Sequence, residues 1–213
     1  MTIVAPPAPP DRAARRAPWR ASDLVALDFE ATGLDFQKDT IISFGAVPVR
    51  RGRIDVGDSV YQLVNPGDVD VSPRSVVVHM LRPLDLVDAP SVEAAKEALG
   101  AAIGPRFLLA WWAPVEAAFL DKLFGGGIKG WMRRAIDVRD LLLAVEGAAG
   151  AELTLPAAAD RYGVPVASPH HALDDALVTA QLFLVLAAKL SGRARSIRDL
   201  QNLAPRRGSR TFR

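Results

Sequence analysis

Cysteine is absent from the 213 residues. Disulfides and thiolate-held metals are therefore excluded, and any bound ion must be held by oxygen or imidazole. That donor set favours Mg²⁺ or Mn²⁺, and a reducing, cytoplasmic location is expected. Long apolar runs are also missing: none approaches the ~20 residues that a membrane-spanning helix needs. The opening MTIVAPPAPPDRAARRAP lacks the apolar centre of a secretory signal. No membrane partner is expected.

Net charge is small, only +2, but the near-balance conceals an asymmetry. Residues 1–20 carry four Arg and one Asp, and residues 191–213 carry seven Arg and one Asp, which leaves 21–190 at a net −7. Basic ends on an acidic body suit a protein that meets a polyanion through its ends and holds cations in its middle. Solubilising tails that bind nothing account for the same charges. Residues 1–21 are expected to be a disordered Pro/Ala/Arg-rich arm, 22–190 the folded domain, and 191–213 a flexible basic tail.

What is present is half hydrophobic and 23 % charged, the balance of a globular chain long enough for a substantial core. Strand signals at 24–30, 41–49 and 54–64 are joined by short turns, including Arg51-Gly52. Helical segments within 73–103 precede a buried strand at 106–112, a helix at 114–124, a short strand at 135–138 and a helix from Asp140. Helices at 152–164 and 171–190 complete the order. Three meandering antiparallel strands and two helix-linked strands predict a mixed five-stranded sheet flanked by helices, an α/β fold. Gly125-Gly126-Gly127 is expected to be a flexible connection, since no Lys-Ser/Thr follows it as in a phosphate loop.

Three places along the chain concentrate carboxylates. In LVALDFEATGL (24–34), Asp28 and Glu30 lie on one strand face about 7 Å apart, at the end of an apolar run where like charges resist burial. A strand end that merely reaches solvent would also carry them. Glu116 falls in the first turn of a helix, where complementing the helix dipole is a sufficient explanation. In HHALDDAL (170–177), Asp174 and Asp175 enter the first turns of the last helix, and His171 with Asp175 is compatible with a local pair. These acids could converge on one edge of a layered sheet. Shared divalent cations would then remove the repulsion.

Asp28-x-Glu30-Ala-Thr-Gly-Leu, the acid in APVEAAFL, and His170-x-Ala-Leu-x-Asp175-Ala together resemble the DEDDh branch of the DnaQ-like 3′→5′ exonucleases, which have an RNase H-like three-layer fold. The similarity covers about residues 22–190, including VNP after the third strand, Val78-His79 and YGVP (162–165). It implies that Asp28, Glu30, Glu116 and Asp175 hold two Mg²⁺ or Mn²⁺ ions. It also selects His170, five residues before the last Asp, as the base that activates water. An imidazole suits that role because it titrates near neutrality. Thr32, Gly33 and Leu34 would lie against the terminal nucleotide. Single-stranded DNA or RNA 3′ ends are the implied partner, and a polymerase or another protein a further one. The second motif departs from the family: His-Asn-x-x-Phe-Asp is replaced by Trp111-Trp112-Ala113-Pro114-Val115-Glu116, so the acid is one methylene longer. A catalytically impaired module that binds nucleic acid or a protein is the alternative. Trp111 and Trp112 are expected to pack in the core, and His79 to be structural.

Overall fold

The central strand β1 (Asp23–Ala31) is buried on both faces, and Leu24, Val25, Ala26 and Leu27 are inaccessible to solvent. In the computed structural model, which describes residues 5–150 and 153–203, β1 pairs antiparallel with β2 (Ile41–Arg50) and parallel with β5 (Phe107–Ala110). β5 in turn pairs parallel with β6 (Ala135–Asp137). The predicted third strand is interrupted by a 3₁₀ turn at Val56–Asp58, which splits it into β3 (Arg53–Ile54) and β4 (Val60–Leu63). Both halves pair with β2, so the sheet has six strands rather than the five expected. Arg50 pins the interruption by pairing with both Asp55 and Asp58.

The alternation of β1 divides the core in two. Val25 and Leu27 pack on one face with residues of α3 (Val92–Ile103) and α4 (Ala113–Phe124). Leu24 and Ala26 pack on the other face with α6 (Val138–Glu146), α7 (Leu155–Arg161) and α8 (Ala172–Lys189). Short helices α1 (Pro73–His79) and α2 (Pro83–Leu86) precede α3, and α5 (Ile128–Met132) follows α4. This is the helix–sheet–helix sandwich that the element order predicted. Among the described residues no helix is long and apolar enough to cross a membrane.

Both ends differ from the expectation of a disordered arm and a flexible tail. Residues 13–16 and 19–21 form 3₁₀ turns, and Ile197–Asn202 forms α9. Trp19 is buried and packs edge-on against Phe183 at 5.5 Å, while its backbone N–H donates to the Arg195 carbonyl. Arg15 donates to Gln201, which itself donates to the Ala135 carbonyl of β6. A single tryptophan in an arginine-rich stretch gives the arm enough apolar surface to dock, and the arm and α9 brace one another. Residues 1–4 and 204–213 lie outside the described residues.

The triple glycine is also an ordered connection rather than a loose one. Gly125, Gly126 and Gly127 all hold positive φ, a conformation open to glycine without strain, and the Gly127 N–H donates to Asp121. α5 starts directly after them.

Candidate active site

The face of β1 that carries Leu24 and Ala26 continues to Asp28 and Glu30, so both carboxylates emerge at the strand's C-terminal end on the side covered by α8. Asp28 is paired with Gly45 of β2. A Cβ at Gly45 would lie 2.2 Å from the Ala172 carbonyl oxygen and 2.4 Å from the Leu173 Cα. The missing side chain lets the first turn of α8 rest directly on the sheet, which carries Asp175 to the two strand acids.

Asp28, Glu30 and Asp175 each offer a carboxylate oxygen, and these atoms lie within 4.8 Å of one another. Glu30 and Asp175 are buried and Asp28 is half-buried. The Asp175 carboxylate accepts the His170 backbone N–H at 3.1 Å. His170 adopts a left-handed backbone, φ +60°, to make that turn, and its side chain is exposed at the rim. Such a conformation is uncommon for a residue with a Cβ and clusters at functional sites.

Glu116 comes from the first turn of α4, which starts just beyond β5. It is buried, and its Oε2 has no hydrogen-bond partner. It does not join the 4.8 Å trio, yet its charge acts on Asp28.

The electrostatics follow from burial without counter-charge. Burial raises Asp28 well above the ordinary carboxylate range, aided by Glu116, Glu30 and Asp175 in that order. Burial and then Asp175 push Glu30 up to about 8. Glu116 is likewise raised to about 8 by burial, and Asp137 adds to the effect. Asp175 is raised by burial, partly offset by the His170 N–H and imidazole. Among the described residues no Lys or Arg forms an ion pair with any of the four. An all-oxygen donor set, crowded, buried and short of positive charge, fits hard divalent cations.

Thr32, Gly33 and Leu34 form the turn after β1. Thr32 is buried, with its hydroxyl donating to Asp39 and accepting the Thr40 N–H. A Cβ on Gly33 would collide with the Asp39 carboxylate, which also accepts the Asp35 N–H at 2.7 Å. Thr32 and Gly33 therefore shape the turn, while Leu34 projects from it, 63 % exposed.

Several neighbours were not singled out from the sequence. Asp137 ends β6 and caps α6 by accepting the Asp140 N–H, and its charge reaches Glu116. Its signal was an acid at the end of a short strand. Tyr61 stacks on His171, with ring centroids 4.3 Å apart, and its hydroxyl is raised by burial and, to a smaller extent, by Glu30. Nothing local ties Tyr61 to His171, because β4 meets α8 only through the fold. Asp39, which holds the turn, reads as ordinary turn chemistry. The tryptophans divide: Trp111 packs partly against the core, whereas Trp112 is 38 % exposed with Arg139 over its ring. His79 is buried, accepts the Leu81 N–H on Nδ1, and is held below the usual imidazole range by burial and the His170 charge.

Acids from a strand end and a helix start, gathered on a layered α/β sheet with no Lys or Arg paired to them among the described residues, define a carboxylate site of the class that phosphoryl-transfer enzymes use. The chain belongs to the RNase T exonuclease family, whose model matches residues 25–183. It is 33 % identical over 162 residues to DNA polymerase III PolC-type of Thermotoga petrophila, covering 75 % of this chain and 11 % of that protein. It is 26 % identical to DNA polymerase III subunit epsilon of Aquifex aeolicus, covering 78 % and 81 % of the two chains. The chain thus spans about a tenth of the PolC-type relatives. The fold is shared with the nuclease domain of 3′hExo, a DEDDh family member bound to rAMP, with TM-score 0.66, 17 % identity and 81 % and 95 % of the chains covered.

Proposed function

We propose that the protein is a divalent-cation-dependent 3′→5′ exonuclease that releases nucleoside 5′-monophosphates from the 3′ ends of single-stranded DNA or RNA. The carrying observation is the trio Asp28, Glu30 and Asp175, mutually within 4.8 Å and, among the described residues, with no Lys or Arg paired to it, in a chain of the exonuclease family. The rAMP held by the related nuclease domain is the kind of product this reading requires.

Asp28, Glu30 and Asp175 would hold the ions, two Mg²⁺ or Mn²⁺, with Glu116 completing the set from the α4 side. When bound, the ions supply positive charge for the transition state and make water a competent nucleophile at neutral pH. His170 stands at the rim, held beside Asp175 by its own backbone, and would accept the proton of the attacking water. Leu34, exposed at the end of a turn locked by Asp39, would flank the terminal base. Thr32 and Gly33 would place it. Tyr61 and His171 would wall the site on the β4 side.

The test is a 5′-labelled oligonucleotide incubated with the protein and Mn²⁺. A ladder shortening from the 3′ end, abolished by EDTA and by Asp28→Ala, is expected. An oligonucleotide that is retarded but never shortened would instead identify a binding module.

A further inference from the structure

A large cavity, about 1080 Å³, lies away from the carboxylates, beside Phe107. Phe107 pairs with Leu24 at the start of β1, so the cavity opens at the end of the sheet opposite Asp28 and Glu30. Those acids lie four and six residues further along β1, about 13–20 Å away at the rise of a strand.

Six arginines line this cavity: Arg12, Arg15, Arg16, Arg133, Arg134 and Arg198. They come from three parts of the chain, residues 12–16, 133–134 and 198, and are assembled only because the arm and α9 dock on the β6 edge. Among the described residues, no acidic residue lines the cavity and none of the six arginines forms an ion pair. Arg134 is structural: it is buried and donates to the backbone carbonyls of Arg106, Pro7 and Gly104. Arg15 is partly committed to Gln201. Arg12, Arg16, Arg133 and Arg198 are exposed. Like charges gathered without counter-charge repel, and an anion relieves them as a cation relieves the acids at the other end.

We propose that this cavity is a second nucleic-acid site, which grips the phosphate backbone of a single strand at a distance from the cleavage centre. The body of the protein carries net negative charge and, among the described residues, no Lys or Arg pairs with its four site acids, so the arginine cavity is where a polyanion is held. Guanidinium groups pair with phosphate in a planar fork. Trp131, the large aromatic of the wall, is buried and hydrogen-bonded to the Gly125 carbonyl, so bases find no stacking platform there. The contacts are therefore to phosphates, independent of sequence and sensitive to salt.

The proposal is measured with cleavage switched off, so it stands or falls apart from the exonuclease reading. The full-length protein in EDTA is titrated into a fluorescent 20-nucleotide oligo-dT, and anisotropy is read at several salt concentrations. The triple variant Arg12→Gln/Arg16→Gln/Arg133→Gln changes exposed side chains only, and an unchanged circular dichroism melt controls for folding. It is expected to bind at least about tenfold more weakly, with the slope of log K against log salt reduced by about 2, from three lost phosphate contacts on a single strand. The corresponding triple Lys variant keeps most of that slope. With Mn²⁺, hydrolysis of a trinucleotide is unchanged by the triple Gln variant, while kcat/KM for the 20-mer falls.

Equal affinity and slope for the wild type and the folded triple Gln variant would overturn the proposal. So would a cavity that binds poly-glutamate but not the oligonucleotide, which would assign it to an acidic protein segment. A wild type that binds through these arginines yet never cleaves would uphold the second site and remove the exonuclease.

Discussion

Asp28 sits directly opposite Gly45 in the β1–β2 ladder, and the bare backbone at Gly45 is where the start of α8 comes to rest. One strand position carries a carboxylate, and its partner carries nothing, so that a third carboxylate can arrive from above.

Gly45→Ala tests this seat. The added methyl meets backbone at 2.2 Å, so α8 has to move rather than a flexible side chain. A destabilisation of about 2 kcal/mol or more is expected from overpacking. Displacing Asp175 by about 1 Å should lower kcat ~10²-fold. Thermal melting and oligonucleotide hydrolysis measure the two effects, and a variant equal to wild type in both would refute the seat.

The acid cluster gives metal-free stability a particular pH dependence. Glu30 titrates near 8 in the folded protein against its ordinary 4.5, so between those values the native state binds a proton that the unfolded chain has released. Stability then falls as pH rises. Asp28, Glu116 and Asp175 act in the same sense. His79, lowered by burial, opposes them only below its ordinary 6.5. In EDTA the melting temperature should drop between pH 6.5 and 8, and Mg²⁺ or Mn²⁺ should restore it at pH 8. A flat profile would show that the acids are not uncompensated.

His170→Asn separates the side chain from the turn. Asparagine tolerates the left-handed backbone and keeps the N–H that Asp175 accepts. The melting temperature should therefore hold, while kcat falls about 10²–10⁴-fold through loss of the base. Activity within a factor of three of wild type would exclude His170 as that base.

Glu116 is expected to serve at its present length. Above pH 8, where Glu116 loses its proton, Glu116→Gln removes a buried charge that raises Asp28, so it should raise the melting temperature in EDTA at pH 9 and lower kcat about 10²-fold. Glu116→Asp withdraws the carboxylate by about 1.5 Å and should slow the reaction by roughly tenfold or more. A faster enzyme with Asp would show that the natural site is detuned.

Asp39 supports the turn without touching the acid trio. Asp39→Ala removes the acceptor of Thr32 and Asp35, freeing Leu34. KM should rise several-fold with kcat changed less, alongside a loss of about 1–2 kcal/mol of stability. A fall in kcat with KM constant would instead place Asp39 in the chemistry.

Much of this was legible because strands and helices carry period. The alternation of 24–30 put Asp28 and Glu30 on one face, while Pro114 and the following glycines marked 114–124 as α4 and the long, largely apolar stretch 171–190 marked α8. What stayed hidden depends on partners distant in sequence. α5 and α9 are short, and α9 is held by Arg15 and the β6 edge rather than by its own pattern. The arm looked disordered because its one large apolar residue, Trp19, needs Phe183 to be buried. Tyr61 joined His171 only through the packing of α8 on β4.

The chain by itself determined the layered α/β order, the family motifs and the acids Asp28, Glu30, Glu116 and Asp175, since local periodicity and residue chemistry specify them. Only the tertiary structure decided that three of those acids share a space 4.8 Å across with Glu116 beside it, and that arginines from both ends line one cavity. Distances between charges far apart in sequence are set by how helices seat on the sheet, which at Gly45 turns on the absence of a single methyl group.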